Sequence, residues 1–128
     1  MLFENFHENF NSLIAKSADL TNKPFLHSVV KINGEYEKDY ADIDLTLNIL
    51  CRDNDGKRLD LYDLELELFR SNRELILVIS KLNFPDEPIL WSGAKTIWMN
   101  SNNGKKCSAP KYSFRLENLA TKIKNFIA

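Results

Sequence analysis

The chain reads as an α+β domain: an N-terminal helix, a four- to five-stranded antiparallel meander sheet and a C-terminal helix, with both helices packed on one sheet face. Three observations carry this. Apolar residues alternate with polar ones through residues 43–49 and 64–68, the period of a strand with one buried face. Turn residues separate these runs. At both ends of the chain the apolar period lengthens to that of a helix.

In the first helix, expected over residues 3–18, Phe3, Phe6, Phe10, Leu13 and Ile14 recur at helical spacing. Glu4 and Glu8 suit its positive end and Lys16 its negative end. LTNKP, Leu20 to Pro24, stops it, and a first strand follows over Phe25 to Ile32, before Asn33-Gly34.

The stretch YADIDLTLNILCRDNDGKRLDLYDLELELF supplies the next hairpin. A two-residue type I′ turn at Asp55-Gly56 sets Ile43 opposite Leu68, Leu45 opposite Leu66 and Leu47 opposite Leu64. The other face then receives Asp44 opposite Glu67 and Thr46 opposite Glu65, so the acids share the face turned from the core. A turn at Ser71-Asn72 adds a strand over Glu74 to Leu82, pairing Leu68 with Leu75 and Leu66 with Leu77. Ile76 and Val78 then stand beside the acids. Ile89 to Trp98 reads as one more strand, weakened or bulged at Gly93. Trp91 and Trp98, seven apart, point to opposite faces of it. Residues 100–111 form a loop. The last helix covers Phe114 to Ile127, with Ser113 as N-cap and Leu116, Leu119, Ala120, Ile123, Phe126 and Ile127 as its apolar stripe.

The 128 residues suit one domain, and the apolar and charged fractions of 44% and 27% are those of an ordinary globular protein. Cys51 and Cys107 are too few for a disulfide scaffold and lack zinc-site spacing, so a reducing, cytoplasmic setting is expected. The N-terminus has no basic stretch followed by an apolar run, so no signal peptide is expected. The longest apolar run, Leu75 to Ile79, is far too short to span a bilayer. Charge divides along the chain: residues 1–92 carry ten Lys/Arg against 17 Asp/Glu, and residues 93–128 carry seven against one.

Catalysis finds little support. His7 and His27 sit in no nucleophile–base spacing, and no phosphate-binding or dinucleotide motif is present. Cys51 continues the inward set as a core thiol, while Cys107 lies beside Lys105 and Lys106, the position to test for a reactive thiol. No cofactor and no metal site is expected, because DNDG at Asp53 to Gly56 lacks the later ligands of a calcium loop.

The leading expectation is a small non-enzymatic interaction protein, an adaptor, assembly factor or inhibitor, that binds a protein partner or itself as a homodimer. Its interface would be the open sheet face: Asp44, Glu65, Glu67, Ile76, Val78 and Trp91. The alternative is a module for nucleic acid or another anion, using Lys105, Lys106, Lys111 and Arg115 beside Trp98, Tyr112 and Phe114.

Overall fold

The computed structural model describes residues 6–35 and 43–127. Phe3, Glu4 and Asp42 lie outside them, as do the side chains of Phe6, His7 and Glu8. Helix α1 (Phe6–Thr21) leads into β1 (Leu26–Glu35), β2 (Asp44–Arg52), β3 (Leu64–Ser71), β4 (Glu74–Lys81), β5 (Ile89–Ser92) and β6 (Thr96–Met99), and α2 (Ser113–Ile127) ends the described chain. The strands form one sheet in chain order, β1 to β6, each antiparallel to its neighbour. The fold class is therefore the expected one, with six strands instead of four or five.

The additional strand comes from Gly93. The segment Ile89 to Trp98 folds back on itself, pairing Ser92 with Thr96 and Trp91 with Ile97, with the Gly93 amide donating to the Lys95 carbonyl. A side chain at Gly93 would run into the Glu74 carboxylate, whose Oε1 accepts from the Ala94 amide. The glycine thus marks a tight reversal against β4, not a bulge within a strand. Trp91 and Trp98 still face opposite sides of the sheet, now from adjacent strands.

Both hairpin registers differ from expectation by two residues. Leu45 pairs with Leu68, Leu47 with Leu66 and Ile49 with Leu64. Asp55-Gly56 does not form a type I′ turn. The Gly56 amide bonds the Asp53 carbonyl at 3.0 Å, Asp53 Oδ1 accepts from the Asp55 and Lys57 amides, and within this turn only Gly56 has positive φ, at 85°. The chain then makes an excursion through a 3-10 turn, Asp60–Tyr62, before β3 begins. Asp63 anchors that excursion. Its carboxylate is 2% exposed, accepts from the Cys51 amide at 2.8 Å, and takes Arg58 Nη2 at 2.6 Å and Nη1 at 3.1 Å. The Arg58 guanidinium also donates to the Cys51 carbonyl, so a buried charge is paired and hydrogen-bonded rather than stranded. In the next hairpin the reversal falls at Asn72-Arg73, with φ of 53° and 68°, and pairs Leu66 with Ile79 and Leu68 with Leu77. Two positive φ values are what a type I′ turn requires, and Asn tolerates the left-handed region better than the Ser at the expected site. A shift of two preserves side-chain parity, so the inward set is unchanged.

That inward set makes the core. Leu45, Leu47, Ile49, Leu66, Leu68, Leu77, Ile79 and Leu90 are fully buried beneath Phe10 and Ile14 of α1 and Leu119 and Ile123 of α2. Each such side chain contributes about 2 kcal/mol gross on leaving water. Helix α1 packs on β1, α2 packs on β4 and β5, and the helices touch each other. Helix α2 begins at Ser113 itself. It is tied down by Trp98 Nε1 donating to Glu117 Oε2 at 2.8 Å, and by Lys124 Nζ donating to the Gly93 carbonyl. Within the described residues no helix is long and apolar enough to cross a membrane.

Candidate functional site

Both helices lie on one face of the sheet, so the side chains of opposite parity form an outer face that no described helix covers. A row runs across it from Thr46 through Glu67, Val78 and Trp91 to Ile97. A neighbouring row sets Asp44 beside Phe69 and Ile76. The structure thus brings Asp44, Glu65, Glu67, Val78 and Trp91 onto one surface, as their alternation implied. Asp44 and Glu67 are exposed, while Glu65, Val78 and Trp91 are half-buried.

Ile76 is a correction. It belongs to this face by parity but is only 6% exposed. Phe69 is its cross-strand partner, and the Gly93 reversal packs against its other side. Phe69, which the sequence did not single out, does this together with Trp91: the two rings meet edge-to-face with centroids 5.8 Å apart. The outer face therefore has a small packed apolar cluster of its own. Phe69 continues the parity of Glu65 and Glu67, a signal legible in the alternation. Half-buried Leu50 and Ile97 and exposed Val30 extend the apolar area toward both sheet edges.

The acids are also arranged differently from expectation. Across the β2–β3 pair Asp44 faces Phe69, Glu67 faces Thr46 and Glu65 faces Asn48, so no two carboxylates are direct partners there, while across β1–β2 Asp44 pairs with Glu35. Like charges directly opposite would cost a few tenths to ~1 kcal/mol per pair. The repulsion left at Glu67 comes from along its own strand and from a diagonal neighbour. It shows in the carboxyl, which is held above its usual range first by partial desolvation and then by Glu65 and Asp44.

The four basic candidates separate. Lys105 and Lys106 are exposed on the loop after β6, where Lys106 bridges back to Met99, and Lys111 is exposed ahead of α2. Arg115, in the first turn of α2, instead lines a cavity at one end of the sheet, together with Leu116. Cys107 is half-buried and packs against the core.

One arrangement was not visible in the sequence. His27 Nδ1 lies 2.8 Å from Asp19 Oδ1, and His27 is the cross-strand partner of Cys51. The three residue types of a thiol-based centre are adjacent, but the thiol is unsuited to attack. Burial, and then the Asp63 carboxylate, push the Cys51 thiol up to about 11, so it stays protonated at neutral pH. Cys51 is thus a core thiol paired across the strands with the residue that carries an acid-held imidazole.

No curated protein matches the chain, and no solved structure matches it. Residues 11–126 match a family described as a domain of unknown function (DUF8659). The match runs from the middle of α1 almost to the end of α2, so it takes in every strand.

Proposed function

We propose, from the premise that the chain belongs to this family, that it is a non-enzymatic interaction module whose outer sheet face captures a basic, partly apolar segment of a protein partner. The observation that supports this reading is the composition of that face. An apolar band of Phe69, Val78, Trp91 and Ile97 adjoins carboxylates at Asp44, Glu65 and Glu67, and both helices are on the other side. Apolar area bordered by charge is the anatomy of an interface. Glu67 is raised first by partial desolvation and then by repulsion from Glu65 and Asp44; a cation brought against it offsets that repulsion, so charge favours a basic partner over a neutral one. Adaptors, assembly factors and inhibitors work by such contacts, and unpaired cysteines suit a cytoplasmic setting.

A second copy of the chain is the other reading. It is favoured by the separate basic set at Lys105, Lys106 and Lys111, against which a neighbour's acidic face could rest.

The test titrates a peptide of alternating Lys and Leu into the isotopically labelled chain. Amide resonances of Thr46, Glu67 and Val78 should move, with binding that weakens as salt rises. Glu65→Lys with Glu67→Lys should abolish this and leave the fold intact. Light scattering on the chain alone separates the homodimer. A monomer whose outer-face resonances ignore the peptide refutes both readings.

A further inference from the structure

The cavity beside Arg115 has a composition at odds with the chain around it. It measures about 130 Å³ and lies at the end of the sheet, between the C-terminal end of α1 and the start of α2. Phe25 and Tyr62 form one wall, with ring centroids 5.2 Å apart. Tyr112 forms another, and Lys81 Nζ lies 3.9 Å from the centre of its ring. His27, with its side chain 3% exposed, also lines the space.

Among the described residues two cations, Lys81 and Arg115, reach this cavity and no carboxylate lines it. Yet the first 92 residues, which supply most of the lining, carry an excess of acids. The nearby acids are each engaged by a neighbouring side chain. Asp19 takes the His27 ring, Asp63 takes Arg58, and Glu87 accepts from the Tyr112 hydroxyl at 2.7 Å while lying 3.3 Å from Lys81 Nζ. Among the described residues no carboxylate lies within ion-pair distance of Arg115. The arrangement combines flat apolar walls, a size near that of one six-membered ring and cationic charge at the rim.

We infer that this cavity is a binding site for a small planar organic anion, about one aromatic ring in size. Its ring lies against Phe25, Tyr62 and Tyr112, and its carboxylate engages Arg115 and Lys81. The guanidinium supplies the paired donors that a carboxylate's two oxygens match, and the ammonium supplies a second charge. Glu87 sets the selectivity. It already draws on Lys81, so an anion must bring enough attraction to share that cation, and an uncharged ring gains nothing there. The site is on a different surface from the proposed partner face and does not depend on it.

The experiment uses benzoate as the probe and benzamide as its uncharged isostere, followed by amide chemical shifts of the whole labelled chain. Benzoate should move the resonances of His27, Tyr62 and Arg115 in a saturable manner, and benzamide should bind about tenfold more weakly or worse. Arg115→Gln, a change at an exposed position, should weaken benzoate about tenfold and leave benzamide unchanged, and Lys81→Met should do the same. Glu65→Lys with Glu67→Lys should leave benzoate binding intact, which separates this site from the outer face. Equal binding of the two probes would reduce the cavity to an apolar hole and overturn the assignment. So would the absence of shifts at these residues with millimolar benzoate. If Lys81→Met fails to fold, the Arg115→Gln comparison decides alone.

Discussion

Gly34 and Gly56 hold nearly the same backbone angle, φ of 89° and 85°, for different reasons. At Gly56 nothing lies within reach of an added Cβ, so only the conformation needs glycine. At Gly34 an added Cβ would strike the Asp44 carbonyl on the paired strand as well. Gly56→Ala should therefore cost about 1–2 kcal/mol, the price of a left-handed L-residue. Gly34→Ala should cost clearly more, since β1 and β2 must also separate. Urea unfolding of the two variants measures the difference, and equal losses would mean that β1 accommodates the methyl group freely. The sequence showed both as turn glycines and could not separate them. A bulge between Lys31 and Asn33 carries Gly34 into the strand, and that irregularity leaves no mark in residue type. Asn72-Arg73 was equally hidden, because Arg is not a residue that announces positive φ.

At the level of the strands, the assignment of faces survived two wrong registers. Each hairpin slipped by an even number of residues, and side-chain direction has a period of two. Ile43, Leu45, Leu66 and Leu77 are buried as expected, although their partners changed. The hairpin between β2 and β3 defeated turn chemistry because the Asp63–Arg58 pair sustains an excursion that no short-range pattern encodes. The same face assignment yields a pH prediction. Glu67 has a folded-state pKa raised above its unfolded one, so the folded protein binds that proton more tightly. Its contribution to stability is then most favourable at acid pH and is lost as pH rises through the carboxylate range. Glu67→Gln should raise the melting temperature at neutral pH, and the gain should vanish below the carboxylate range. A gain that is independent of pH would show that desolvation of charge at Glu67 is not the cause.

Across the whole molecule, the open face was legible and the cavity was not. Alternation within single strands reports which residues share a face. Phe25, Lys81, Tyr112 and Arg115 come together only because the strands end at a common level between two helices. The sheet order that places them has a further consequence, for the route by which the chain folds. Every strand pairs with its immediate predecessor, so each hairpin can form from neighbouring sequence with little loop entropy to overcome. The contact between α1 and α2 is different, because it joins opposite ends of the chain and requires the sheet to be in place first. Docking of α2 should then follow the rate-limiting step of folding. Leu119→Ala, which empties a fully buried position on that helix, should speed unfolding and leave the folding rate nearly unchanged in stopped-flow measurements. A slowed folding arm would put helix closure inside the nucleus. With late docking, the last region to order in each folding event, and the first to open, is the one where Arg115 meets the cavity.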